Sequence, residues 1–240
     1  MSSDPAGSLY LLPNTLGDTA AETVIPASAL HRARALDYFI AENPKSARAF
    51  LKRIGFPRPL QDIRVERLDQ NTAMRDIGPL LEPLLSGRDA GLLSEAGLPA
   101  IADPGAALVR LAHAKGVRVV PLSGPSSLLL ALAASGLEGQ RFAFHGYLPV
   151  KQPGLAAALK ELERQSRRLN QTQIFIETPY RNDATLAAAL RVLGDDTLVC
   201  VAADLTLESE SVRTQRAAQW RRDVPQLKGR PTVFLLLSTG

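Results

Sequence analysis

Short β-branched or leucine-rich runs alternate with amphipathic stretches along the chain, and this alternation restricts its fold more than any other feature. Strands are expected at Ser8–Leu12, Tyr38–Ala41, Ala90–Leu93, Val117–Leu122, Thr172–Ile176, Val199–Ala202 and Thr232–Leu237. Between them apolar residues recur at helical spacing, as in Ala29, Leu30, Ala33 and Leu36, or Ala47, Phe50, Leu51 and Ile54. Ala106–Lys115 follows Asp103-Pro104, which reads as an N-cap with proline at the first helical position. Such alternation predicts an α/β protein with a largely parallel sheet. Leu122-Ser123-Gly124-Pro125 reads as a hinge, giving an N-terminal α/β domain over 1–122 and a C-terminal α/β domain over 123–240. Thr206–Gln215 is polar and alternating, an expected antiparallel excursion in the second half.

Several function classes lose weight. The 45% hydrophobic and 22% charged residues are those of a globular chain, not a disordered one. No window approaches the roughly 18 apolar residues of a membrane helix, and Met1–Gly7 lacks the basic and apolar regions of a signal peptide. A lone Cys200 makes no internal disulfide and no zinc cluster, so a reducing cytoplasm and no metal are expected. No two glycines stand two residues apart, which excludes the dinucleotide fingerprint; Gly-Lys and G-x-S-x-G are absent too. His31, His113 and His145 are too dispersed for a metal motif. Net charge is +1 for residues 1–122 and +3 for 123–240, and arginine outnumbers lysine 22 to 6. That balance permits a nucleic-acid partner without requiring one.

Four loops, each after an expected strand, concentrate Gly, Pro, Ser and short polar residues: Pro13–Asp18, Ser94–Pro99, Ser123–Ser127 and Glu177–Arg181. Loops at the carboxyl ends of parallel strands border the ligand crevice of open α/β sheets. Glycine and proline there let a ligand approach main-chain N–H and C=O groups. Asp103 reads first as a helix cap, Ser126 and Ser127 as caps of Leu128–Ala134 that can also touch a ligand, and His145 as structural. Cys200 reads as a core residue. Tyr180-Arg181, an aromatic beside a fork donor, suits a base or a phosphate.

The stretch Leu92-Leu93-Ser94-Glu95-Ala96-Gly97-Leu98-Pro99-Ala100-Ile101-Ala102-Asp103-Pro104-Gly105 resembles the S-D-A-G-x-P-x-[IV]-[SA]-D-P-G motif of the tetrapyrrole methylase superfamily. Val119–Ser127, Ala134–Leu137, Phe142–Pro149 and Glu177-Thr178-Pro179-Tyr180-Arg181 are similar to further signatures of its ribosomal RNA small subunit methyltransferase I branch. The resemblance implies two α/β domains of the tetrapyrrole methylase type with a cofactor cleft between them, S-adenosyl-L-methionine as methyl donor, and a homodimer. It implies cofactor contacts at Pro13, Gly97, Leu98, Pro99, Ile101, Ser126, Ser127, Thr178, Pro231 and Thr232, with Asn14, Tyr180 and Arg181 toward the acceptor. Two departures fall on the acceptor side. The first loop is two residues shorter than the branch's T-P-I-G-N-L-x-D, and Ala203-Asp204-Leu205-Thr206-Leu207 replaces its R-E-[LI]-T-K. The branch's C-terminal extension is also expected to be missing.

Methyl transfer from a sulfonium is an in-line displacement, and a ribose hydroxyl acceptor must also lose a proton. Glu95 and Glu177 are the candidate catalytic carboxylates, with Asp103 behind them. The resemblance points to ribosomal RNA ribose 2′-O-methylation, in which Arg164, Arg167, Arg168, Arg216, Arg221 and Arg222 would meet phosphates. A small-molecule (tetrapyrrole-like) methyltransferase and a non-catalytic cofactor- or RNA-binding relative are the alternatives.

Overall fold

In the computed structural model, which describes residues 6–239, the alternation is realised as two compact units, Met1–Ser126 and Ser127–Gly240. The leader reading at Met1–Gly7 lies largely outside the described residues.

The first unit runs β1 (Ser8–Leu12), α1 (Ala21–Val24), α2 (Ala27–Ala35), β2 (Tyr38–Ala41), α3 (Pro44–Arg53) and β3 (Arg64–Arg67). It continues with α4 (Met74–Ile77), α5 (Glu82–Leu85), β4 (Ala90–Leu93), α6 (Ala106–Ala114) and β5 (Arg118–Pro121). The five strands form one parallel sheet in the order β3-β2-β4-β1-β5. Successive side chains of a strand point to opposite faces, and here both faces are covered. Tyr10, Phe39 and Leu93 pack with α2 and α3 residues such as Leu30 and Phe50. Leu9, Tyr38 and Leu92 pack on the other side with Leu81, Leu84 and Leu108. Double coverage explains why β2 and β4 read as unbroken apolar runs.

α3 shows how sequence sets an element's ends. The Asn43 side chain accepts from the Lys45 N–H, Pro44 occupies the first turn, and Lys52 and Arg53 close the last. The cap expected at Asp103 is corrected. α6 begins after Gly105, whose φ of +136° is open to glycine but not to an ordinary side chain, so Asp103 and Pro104 lie in the preceding loop.

The second unit runs α7 (Ser127–Ser135), β6 (Phe142–Tyr147), α8 (Gly154–Leu169), β7 (Thr172–Ile176) and α9 (Asn182–Val192). β8 (Leu198–Ala203), β9 (Ser211–Arg216), α10 (Ala217–Trp220) and β10 (Thr232–Leu237) complete it. Its sheet has the order β6-β7-β10-β8-β9. Only β6 and β7 are parallel; the pairings of β7, β8 and β9 with their other neighbours are antiparallel. The expectation of a largely parallel sheet therefore holds for the first unit and fails for the second, where the antiparallel part reaches well beyond Thr206–Gln215. One core gathers Leu155, Leu159 and Leu162 of α8, Leu186 and Leu190 of α9, and Phe175 and Phe234 of the sheet. Trp220, 1% exposed, sits in it with its indole N–H donating to the Val199 carbonyl at 2.8 Å.

Candidate active site

Because all five strands of the first sheet are parallel, the loops after β1, β4 and β5 emerge at one edge. They are tied to each other there. Asn14 and Gly97 form an isolated bridge, the Asn14 N–H donating to the Gly97 carbonyl at 2.8 Å. The Asn14 side-chain amide donates to the carbonyls of Ser94 and Glu95, at 3.0 Å each, and its oxygen accepts from the Thr15 N–H. Asn14 is only 6% exposed. Asn14 clamps the two loops together. Arg53, at the end of α3, secures the same clamp by donating to Thr15 Oγ1 at 2.7 Å. No spacing in the sequence marks Arg53 for that task.

The loop from Ser94 to Gly105 is unusual in backbone. Gly97, Ala100, Ala102 and Gly105 all have positive φ, and the two alanines hold +65° and +63° against a cost of about 1–2 kcal/mol each. Such strain persists where the surroundings over-determine it, and it clusters at ligand sites. Gly97 is closely enclosed: a Cβ there would stand 3.2 Å from Leu16 and 3.4 Å from the Pro125 carbonyl. Gly124 is tighter still, since a Cβ would come within 2.1 Å of Pro13. Gly97, Pro99, Pro13 and Ser126 are buried, Leu98 half-buried, and Ile101 presents its side chain to solvent.

Carboxylates collect beside this loop. Glu95 is exposed, and one of its oxygens accepts from Ser46 Oγ at 3.2 Å. Asp103 is pushed up to about 6, chiefly by burial and then by the charge of Glu42, with Glu95 adding to it and a Ser94 hydrogen bond opposing. Burial, then the charges of Glu95 and Asp69, raises Glu42 as well. A polar cavity of about 410 Å³ opens at the same sheet edge, between Glu42, Asn43, Arg67, Asn71 and Glu95 among others. Among the described residues, no group of three or more His, Cys, Asp or Glu could hold a metal ion.

The second unit gathers its expected residues at one edge too. β10 runs antiparallel to β7, so its start meets the end of β7, with Val233 opposite Ile176. This brings Pro231 and Thr232 to the edge from which Glu177–Arg181 departs. Glu177 is 8% exposed and fully engaged. It accepts from Arg181 Nε at 3.1 Å, the Thr178 N–H at 2.7 Å and Thr185 Oγ1 at 3.4 Å. Arg181 also donates to the Val150 carbonyl, while Thr178 is exposed and Tyr180 is 81% exposed. Arg230 donates to Asp204 at 2.6 Å, fixing the turn after β8 to the start of β10. Ser127 is the first residue of α7. His145 bonds Gln173 across β6 and β7, as its structural reading expects. Of the arginines expected to meet phosphates, Arg216 pairs with Asp196 at 3.1 Å. Arg221 holds Asp195 and the carbonyls of Leu190 and Leu193.

Two α/β units of this build, one on a parallel sheet and one on a mixed sheet, are an architecture shared with a methyltransferase of known structure. The chain aligns with the crystal structure of the methyltransferase CobJ at a TM-score of 0.63 and 18% identity, covering 97% of this chain and 95% of that one. The chain belongs to the Tetrapyrrole (Corrin/Porphyrin) Methylases, whose sequence profile matches residues 9–220. Among its relatives is the Ribosomal RNA small subunit methyltransferase I of Escherichia coli O157:H7, 35% identical over 86% of this chain and 68% of that protein. The proteins of the same name from Xylella fastidiosa and Pseudomonas aeruginosa are 34% and 32% identical, over 86% and 89% of this chain and 71% and 72% of theirs.

Proposed function

We propose that the chain transfers a methyl group from S-adenosyl-L-methionine to a ribose 2′-hydroxyl of ribosomal RNA, as a cytoplasmic homodimer. The observation that carries the acceptor is identity with proteins named for ribosomal RNA, sustained over more than four fifths of the chain. The residues present fit the donor. Pro13, Gly97, Leu98, Pro99, Ile101 and Ser126 belong to loops pinned together at one sheet edge. Ser127, Thr178, Pro231 and Thr232 supply the contacts of the second unit. Asn182 donates to the Arg230 carbonyl at 2.6 Å, while its own Oδ1 is buried without a partner. That leaves an acceptor near Pro231 and Thr232 for an exocyclic amine such as that of adenine.

When bound, the sulfonium donor supplies an electrophilic methyl group. The protein's own task is to align the acceptor oxygen with that methyl and to take its proton. Asp103, held near 6, is matched to proton acceptance close to neutrality, and Glu95 at the rim orients the hydroxyl. Glu177 is a positioning residue that fixes Arg181. Arg181 and Tyr180 then receive the RNA, Tyr180 as a stacking surface for an unpaired base.

The test is incubation of the purified protein with methyl-labelled S-adenosylmethionine and total RNA from cells lacking it. Label on small-subunit RNA, at a ribose by fragment mapping, is the expected result. Tight donor binding with no label on RNA would overturn the RNA acceptor and turn the search to small molecules.

A further inference from the structure

The outer face of α8 carries Lys160, Arg164, Arg167 and Arg168, all exposed. Their spacing of four, seven and eight residues from the first places them on one side of the helix, over about 12 Å of its axis. They line a groove of about 310 Å³ with Glu163. The acids beside them are already engaged. Glu163 accepts from the Gly194 N–H at 2.7 Å and from Thr197, which ties it to the loop before β8. Glu161 takes Arg164 in a two-point contact at 2.6 and 2.7 Å. Lys160 and Arg168 make no ion pair among the described residues, and Arg167 reaches only the Ser238 hydroxyl.

Compensation of the helix dipole accounts for cations in the last turn, Arg167 and Arg168. It does not reach Lys160 and Arg164, one to two turns further back. Elsewhere in this unit Arg213, Arg216 and Arg221 are each held by an aspartate. No aromatic side chain lines it, so it suits charged phosphodiesters better than stacked bases. Arg167 contacts the residue that follows β10, at the end of the sheet opposite Glu177 and Thr232. Within the second unit the groove is thus separate from the loops assigned to donor and acceptor.

We propose that this face of α8 is a contact surface for the phosphate backbone of the RNA substrate, an anchor that grips the strand away from the methylated nucleotide. The proposal rests on the RNA reading above and adds a site to it.

The test uses the full chain and protein-free small-subunit ribosomal RNA, with affinity measured from 50 to 200 mM KCl. In the triple variant Lys160→Gln, Arg164→Gln, Arg168→Gln, RNA affinity is expected to fall on the order of 10- to 100-fold. The slope of log affinity against log salt should flatten by about 2, as three lost single-strand phosphate contacts require. Affinity for S-adenosylmethionine should not change, which shows that the variant is folded. The double variant Arg164→Lys, Arg168→Lys, which keeps the charge, should retain most of the binding. If the wild type binds and methylates RNA but the triple variant matches it in affinity and slope, the α8 surface is overturned and the RNA reading stands. If the wild type neither binds nor methylates RNA, both fall together.

Discussion

Asp103 shows how one residue can be legible in kind and misread in role. An Asp-Pro pair before an apolar helix is an ordinary capping signal, and nothing in the sequence reveals that Gly105 takes the cap instead. What the sequence does carry is the dense motif around it, which singles out the loop but not the environment of its carboxyl. That environment has a consequence for stability. The folded-state value of about 6 lies above the ordinary 3.8, so ionisation costs the folded chain more than the unfolded one. At about pH 2 Asp103 is protonated in both states and contributes nothing. Between about pH 3 and 6 the cost accumulates, and above about pH 7 it is constant. Asp103→Asn should therefore stabilise the protein by on the order of 1–3 kcal/mol at pH 8 and by only about 0.5 kcal/mol at pH 4, by chemical denaturation at both values. The same variant should lose methyl transfer by 10²-fold or more, on the order of a general base's contribution. Asn14 was legible as a loop residue, but its clamping bonds to Ser94 and Glu95 join positions 80 and 81 residues apart, a link no local pattern contains.

At the scale of elements, legibility follows burial. The seven expected strands all form: six lie inside their sheets, and the seventh, Arg118–Pro121, is a half-exposed edge strand marked by its β-branched pair Val119-Val120. The other three are half-exposed edge strands, where side chains need not be apolar: Arg64–Arg67, Phe142–Tyr147, and Ser211–Arg216, which falls largely within the antiparallel excursion expected over Thr206–Gln215. The helix boundaries shift by one to three residues, as at Pro44–Arg53 against the apolar spacing of Ala47–Ile54. Loop packing is where sequence says least and the site depends most. Gly124 illustrates it: a methyl group there would overlap Pro13. Gly124→Ala should cost about 1–3 kcal/mol as an overpacked contact and weaken S-adenosylmethionine binding at least tenfold by displacing the loop after β1. Gly139→Ala, at a position with nothing within 4 Å of the added carbon, should change neither by more than measurement error. Calorimetry of both variants checks the pair.

Across the whole molecule, each unit closes its own apolar core: one cluster lies in residues 127–240 and two lie in the first unit. The family was legible because its motifs sit on loops, where chemistry rather than packing chooses the residues. The mixed second sheet was legible only at Thr206–Gln215, because antiparallel pairing through β10 joins strands whose order the local patterns do not encode. Separate cores have an optical corollary. The chain has a single tryptophan, and Trp220 lies in the core of the second unit. Its emission is a gauge of that unit alone, whereas far-ultraviolet dichroism averages helices and strands from end to end. In a urea titration the dichroism should register a transition from the first unit to which the indole is blind. Coincident curves would mean instead that the two cores melt as one.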